Sequence, residues 1–159
     1  MSIIFDSEKR AFKLDTASSS LVLHIYDENY LLELYYGARI PDIVIDKCKR
    51  RPSASFSPVD PVVGEHGFSP DSAPAAYGCN GGDFRISALS VRNAEGENHT
   101  DIRYLSHEIY KGKKEIPSLP SSYANTPDEC DTLEITARDR GLGVNVILVY
   151  NVFEKADVI

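Results

Sequence analysis

Apolar and polar residues alternate along much of this chain with a period of two, which is typical of strands. The segment Ser20–Tyr26 alternates in this way, and Tyr30–Tyr36 does so again after the turn residues Asp27–Asn29. This pair predicts an antiparallel hairpin, because polar turn residues separate two apolar runs. The shorter segments Ile3–Asp6 and Ala11–Leu14 predict an earlier hairpin.

Strand patterns return in the second half of the chain. They cover Phe84–Val91, Ile102–Tyr110, Thr132–Asp139 and Val144–Phe153. The last segment is apolar on both faces, which predicts a central strand covered on both sides. No segment shows a capped helical stripe. The fold class predicted is therefore all-β, with about eight to ten antiparallel strands, most simply arranged as a β-sandwich.

The stretch Arg50–Gly82 does not fit this pattern. It contains five prolines and five glycines, which cannot supply regular donors to a strand ladder. A loop of this length inside a compact domain is usually functional or disordered. The aromatic residues Phe56, Phe68 and Tyr77 favour an ordered loop, since disordered linkers are poor in aromatic residues.

Composition and charge narrow the class of protein. The 159 residues suggest one domain, and 17 basic against 24 acidic residues give a net charge of −7, which disfavours nucleic acid as a partner. No apolar run is long enough for a membrane helix, and the first residues lack the pattern of a signal peptide. Three widely spaced cysteines, Cys48, Cys79 and Cys130, predict reduced thiols in a cytoplasmic protein.

The sequence offers little catalytic chemistry. The histidines show no metal-binding spacing and the serines no nucleophile elbow, so we predict no metal, no cofactor and no catalytic residue in this chain. The glycines of Gly78–Gly82 precede a strand and favour a turn over a phosphate cradle. Carboxylates in or beside strands are available, but no spacing singles out two of them: Asp83, Asp101, Glu108 and Glu134.

Two clusters combine aromatic and charged residues, namely Tyr77–Arg85 and Asp101–Lys113. Aspartate and arginine make directional hydrogen bonds and aromatic faces cover sugar rings, so either cluster is a candidate sugar site. The alternative is a structural Asp–Arg network between strands that fixes their register. In the second cluster, a strict period of two predicts one face formed by Asp101, Arg103, Leu105, His107 and Ile109, and another formed by Tyr104, Ser106, Glu108 and Tyr110.

At these clusters the sequence resembles the amino-terminal domain of glycoside hydrolase family 36, the bacterial α-galactosidases or melibiases. The matches follow in order over nearly the whole chain, which is more specific than any single motif. They include Tyr35-Tyr36-Gly37, Ser55-Phe56-Ser57-Pro58, Gly82-Asp83-Phe84-Arg85, Asp101-Ile102-Arg103-Tyr104, Tyr110-Lys111-Gly112-Lys113, Leu119-Pro120 with Tyr123, and Thr132-Leu133-Glu134-Ile135.

The resemblance implies a supersandwich-like β-sandwich followed, in the family, by a catalytic (β/α)8 barrel and a small β domain. Both catalytic aspartates of the retaining mechanism lie in that barrel, which is absent from this chain. Residues 1–159 are then an incomplete amino-terminal domain, inactive alone, of an enzyme that hydrolyses melibiose- and raffinose-type galactosides. The strand-like ending Val158-Ile159 also favours a truncated domain.

The resemblance also implies partners and a site. The family's enzymes are homo-oligomers such as tetramers, in which this domain contacts its own barrel and its long loop approaches a neighbour's active site. The substrate-binding candidates are Arg51, Asp60, Tyr77, Asp83 and Arg85. Two alternatives stay open, a free-standing carbohydrate-binding module and a purely structural sandwich. The module is disfavoured by the lack of tryptophan, although nine tyrosines partly compensate.

Overall fold

Seven strands account for nearly all the regular structure in a computed structural model that describes residues 2–26, 29–45, 88–118, 120 and 122–159. The strands are β1 (Ile3–Asp6), β2 (Ala11–Asp15), β3 (Ser19–Tyr26), β4 (Tyr30–Ala38), β5 (Ile102–Lys111), β6 (Asp131–Asp139) and β7 (Asn145–Val152), with a short 3-10 helix at Pro127–Glu129.

The strands form two antiparallel sheets, ordered β1-β2-β3-β4 and β5-β6-β7. Each strand pairs with its neighbour in the chain, as in Leu14 opposite Leu21 and Leu133 opposite Tyr150. Both predicted hairpins of the first half are therefore confirmed, and so are the strands predicted at Ile102–Tyr110 and Thr132–Asp139.

One apolar core lies between the two sheets, and it confirms the predicted β-sandwich. Every strand contributes side chains to it, mostly from alternate positions, because side chains of a strand alternate between faces. The first sheet contributes Ile3, Phe12, Leu14, Leu21, Leu23, Ile25 and Leu31, and the second contributes Ile102, Leu133, Ile135, Ala137 and Val152, all of them buried. This shared burial holds the sheets together.

Two carboxylates accept hydrogen bonds that join residues far apart in the sequence. Asp131, at the start of β6, accepts hydrogen bonds from the backbone nitrogen of Ser2 at 2.6 Å and from its hydroxyl at 2.8 Å. Asp157 accepts from the Ser18 backbone nitrogen at 2.9 Å and from the hydroxyls of Ser18 and Thr16. These bonds hold the pKa of Asp157 below its usual range.

A β-bulge at Leu105 corrects the predicted faces of β5. Tyr104 lies opposite Ala137 and Ser106 lies opposite Thr136, so Leu105 is an extra residue in the ladder. A bulge shifts the alternation by one position, because two residues of one strand then oppose one of its partner. The prediction that put Arg103 with His107 and Tyr104 with Ser106 is therefore wrong.

Beyond the bulge, the residues that face the core change parity. Before it Ile102 and Tyr104 pack into the core, and after it Ile109 does so and His107 contacts core aromatic rings. Glu108 lies on the opposite face, which is the outer face of the β5-β6-β7 sheet.

Two further predictions need correction. Strand β7 lies at one end of the sheet that the described strands form, and Ile147 on its outer face is 52% exposed, so it is not covered on both sides. The predicted strand Phe84–Val91 is not found at its described residues 88–91. The rest of that segment and the long loop Arg50–Gly82 lie outside the described residues.

The core predicts where truncation destabilises the domain. Leu133 is fully buried between the sheets, whereas Leu105 at the bulge is 56% exposed. We expect Leu133→Ala to lower the free energy of unfolding by about 2–5 kcal/mol, through lost burial and a residual cavity. The matched control, Leu105→Ala, should change it by no more than about 0.5 kcal/mol. Urea denaturation measures both, and equal losses would contradict this core assignment.

Tyr150 predicts how stability depends on alkaline pH. Its burial, with a smaller effect of the Glu33 charge, raises the pKa of the Tyr150 hydroxyl to about 12. The unfolded chain releases this proton near pH 10, so stability is fully present below pH 10 and falls as pH rises to 12. The loss should reach about 3 kcal/mol, since each tenfold difference in proton affinity is worth about 1.4 kcal/mol.

The measurement is the free energy of unfolding of the native chain and of Tyr150→Phe at several pH values between 9 and 12. Other groups titrate in this range, so the difference between the two proteins isolates Tyr150. As the pH rises, we expect the free energy of unfolding of the native chain to fall relative to that of Tyr150→Phe. A difference that does not vary with pH would overturn this account.

Candidate functional site

The five residues predicted to bind substrate lie outside the described part of the chain. They are Arg51, Asp60, Tyr77, Asp83 and Arg85. Their role therefore stays a prediction from sequence, as does the whole of the first cluster. The second cluster, Asp101–Lys113, is described, and the structure distributes its side chains among three surroundings.

The first of these surroundings is an ion pair at the start of β5. The Arg103 side chain donates from Nε to Asp101 Oδ1 at 2.5 Å, and its guanidinium lies 3.5 Å from the centroid of the Tyr30 ring. Tyr30 belongs to β4, so Arg103 links the two sheets. The Asp101 backbone nitrogen donates to the buried Asp139 carboxylate at 2.6 Å. An Asp–Arg ion pair is thus present at the start of β5, and the Arg103–Tyr30 contact connects it to the first sheet.

The second is an aromatic setting around His107. The imidazole centroid lies 4.4 Å from the Phe5 ring and 4.7 Å from the Phe12 ring. Its Nδ1 is 2.7 Å from the Tyr104 hydroxyl. Burial lowers the pKa of His107 and raises that of Tyr104, so at neutral pH the uncharged hydroxyl can donate to an uncharged imidazole. This pair contributes to the packing of the core.

The third is the outer face of the β5-β6-β7 sheet. Here Glu108 lies directly opposite Glu134, a pairing that sequence spacing alone did not show. Glu134 accepts hydrogen bonds from Lys114 Nζ and, at 3.3 Å, from the Tyr110 hydroxyl. The hydrogen bond to Glu134 raises the pKa of Lys114. The lysine offsets the repulsion expected of two carboxylates placed opposite each other in a sheet.

A cleft of about 300 Å³ opens beyond the end of β5. One wall comes from the end of the strand and the other from the irregular segment before β6. Its lining comprises Lys111, Gly112, Lys113, Glu115, Ser122, Tyr123, Ala124, Asn125, Thr126 and Pro127. Sequence reasoning missed this cleft, because its walls are separated in sequence and no local motif marks their approach.

Neither a metal centre nor a membrane helix is found in the residues that the structure describes. No group of three histidine, cysteine, aspartate or glutamate residues there could hold a metal ion. No described helix has the length and apolar character needed to cross a membrane. Cys130 is a buried free thiol, and burial raises its pKa.

Comparison with known proteins identifies relatives over the full length of the chain. The model of the glycosyl hydrolase family 36 N-terminal domain matches residues 29–159. Alpha-galactosidase AgaA of Geobacillus stearothermophilus is 34% identical over 160 residues, covering 100% of this chain and 22% of the relative. The bifunctional alpha-galactosidase/sucrose kinase AgaSK of Mediterraneibacter gnavus is 35% identical, covering 100% of this chain and 17% of the relative.

Solved structures agree with these relatives. The alpha-galactosidase AgaB of Geobacillus stearothermophilus superposes with a TM-score of 0.88 at 33% identity, over 98% of this chain and 21% of that one. The galactosidase domain of AgaSK gives a TM-score of 0.91 at 32% identity, covering 98% of this chain and 22% of the AgaSK chain. The chain thus spans about a fifth of the length of these relatives. The resemblance seen in the sequence is confirmed, and the chain belongs to the family of glycosyl hydrolase family 36 N-terminal domains.

Proposed function

We propose that this chain is the non-catalytic amino-terminal domain of a larger retaining α-galactosidase, which hydrolyses terminal α-galactosides such as melibiose and raffinose. The observation that carries the proposal is the match of the entire chain to about a fifth of α-galactosidases. Variants of AgaA have been solved in complex with raffinose and with stachyose, which supports this substrate class.

The surroundings of the described carboxylates support a non-catalytic role. Retaining glycosidases use two carboxyl groups about 5–5.5 Å apart, one nucleophilic and one donating a proton to the leaving group. Glu108 and Glu134 are adjacent across strands, but Glu134 is occupied by Lys114. Asp101 is likewise paired with Arg103. Carboxylates paired in this way stabilise local structure.

The domain's proposed roles are oligomer assembly and shaping of the active site. Support for assembly comes from apolar side chains on the outside of the second sheet, where Ile147 is 52% exposed and lies beside Val149 on the same face. Apolar surface of this kind suits contact with the enzyme's own barrel or with a neighbouring subunit. A cytoplasmic location is part of the same proposal, and it is supported by the free thiol of Cys130.

Support for active-site shaping comes from the anchoring of the segment that leads towards the long loop. Asp15 is 7% exposed and accepts from Lys13 Nζ and from the Ser20 hydroxyl, both at 2.6 Å. The Ser20 oxygen in turn accepts from the Ile40 backbone nitrogen at 3.1 Å. Ile43 packs into a small cluster with Ala11 and Val22. These contacts hold Ile40 and Ile43 against the first sheet before the chain continues into the predicted loop.

This proposal predicts the distribution of activity between domain and enzyme. The purified 159-residue chain should release no product from a chromogenic α-galactoside above the buffer rate, whereas the longer protein that contains it should turn over. Glu134→Gln in the isolated chain is the control, because Glu134 belongs to the adjacent carboxylate pair. Turnover by the native chain that disappears in Glu134→Gln would mean that the active site lies in this domain.

A second prediction concerns the long loop and rests on its sequence. In the longer enzyme, we expect Asp60→Ala to weaken substrate binding through loss of a charge-assisted hydrogen bond to a sugar hydroxyl. Such a bond contributes about 1.5–3 kcal/mol, or roughly 10- to 150-fold in affinity. Asp83→Ala is the contrast. We expect it to lower the melting temperature and to leave the affinity of the folded enzyme nearly unchanged.

Steady-state kinetics and melting curves on both variants separate the two roles. Asp60→Ala should raise KM with little change in melting temperature. If Asp83→Ala changes KM while Asp60→Ala does not, the roles of the loop and of the glycine-rich turn are reversed.

A further inference from the structure

We propose that the cleft between the end of β5 and residues 122–127 binds one hexose ring of a neutral carbohydrate. This inference goes beyond the proposed function, in which the substrate-binding candidates are five other residues: Arg51, Asp60, Tyr77, Asp83 and Arg85. It concerns a second sugar site on the surface of the domain. Four features of the described residues carry it: a fixed floor, a fixed wall, an exposed aromatic ring and a mixed polar lining.

The floor of the cleft is fixed at Gly112. Its φ is +93°, in the left-handed region that favours glycine, and a Cβ there would lie 3.5 Å from Pro127 Cβ. The Gly112 nitrogen donates to the Cys130 carbonyl at 2.7 Å. The Gly112 carbonyl accepts from the hydroxyl of the buried Thr132 at 2.6 Å. The end of β5 is therefore held against the segment that forms the opposite wall.

The opposite wall is held by side chains around the 3-10 turn. Glu129 accepts from the Asn125 backbone nitrogen at 2.8 Å, and the Asn125 amide nitrogen lies 3.4 Å from the same carboxylate oxygen. Lys111 Nζ donates to Asp128 Oδ1 at 3.2 Å, which joins the two walls. A cleft whose walls are already positioned loses little conformational entropy when a ligand binds.

The lining combines an aromatic face with hydrogen-bonding groups. Tyr123 is 83% exposed, a large aromatic surface left in water although it lines the cleft. Hydroxyl groups come from Ser122 and Thr126, and a donor with three protons comes from Lys113. Sugars present both kinds of surface, because ring C–H groups pack on aromatic faces while hydroxyls both donate and accept hydrogen bonds.

Size and charge narrow the class of ligand. A volume of about 300 Å³ is at the lower end for ligand pockets, which suits one sugar ring rather than a long chain. The charges of the lining are mixed, with Lys113 and Glu115 both present and Lys111 paired with Asp128. Such a lining gives little net attraction for a phosphate and suits an uncharged hexose.

The test is a titration of the 159-residue chain with galactose and with raffinose, followed by backbone amide signals in NMR spectra. We expect saturable shifts that include Gly112 and Asn125, with Kd values of about millimolar, as the small number of ligand atoms allows. Tyr123→Ala should raise Kd about fivefold, because the stacking surface is lost. Tyr123→Phe keeps the ring and should leave Kd within about twofold.

The matched control is Tyr36→Ala, since Tyr36 is also a strongly exposed tyrosine, at 67%, but lies on β4 away from the cleft lining. It should leave Kd unchanged. Absence of saturable shifts, shifts confined to other residues, or an equal effect of Tyr36→Ala would overturn the proposal. Tighter binding of inorganic phosphate at the same signals would also overturn it. Because the titration needs no catalysis, a negative result leaves the proposed function standing, and an inactive longer enzyme leaves this site standing.

Discussion

Burial of one apolar face of each sheet against the other is the constraint on which the rest of the structure depends. A two-stranded hairpin is marginally stable alone, and the cluster that contains Phe12 and Leu133 forms only when the two sheets meet. Phe12 and Leu23 of the first sheet and Leu133 and Ile135 of the second have no exposed surface. The packing between the sheets also fixes the positions of the side chains on their outer faces.

The bulge at Leu105 shows how that constraint organises the polar groups. The extra residue lets Tyr104 and His107, three positions apart, both lie at the core and share a hydrogen bond of 2.7 Å. It also brings Glu108 opposite Glu134 on the outer face. Without the bulge, the alternation would direct His107 outward, and an imidazole would not lie against Phe5 and Phe12. One inserted residue therefore determines which titratable groups meet water and which meet the core.

The sequence allowed prediction of those parts of the fold that depend on local patterns. The two hairpins of the first half and the long strands followed from a period of two and from turn residues. The face assignments on β5 failed after Leu105, because a bulge leaves no trace in the alternation of residue types. The exposure of Ile147 was missed because an apolar residue does not reveal what covers it. The cleft depends on Gly112 approaching Pro127 through tertiary packing, which no local motif encodes.

The bond between Ser2 and Asp131 joins residues 129 positions apart. In synthesis, the hairpins of the first sheet can pair soon after they emerge, since their contacts are local. The inner face of this sheet, with Phe12, Leu21 and Leu23, stays uncovered until β5 and β6 have been synthesised, more than sixty residues later. Chains with such non-local contacts fold slowly and expose apolar surface in the interval. The order of translation thus makes the newborn first sheet a surface on which chaperones or other nascent chains can bind.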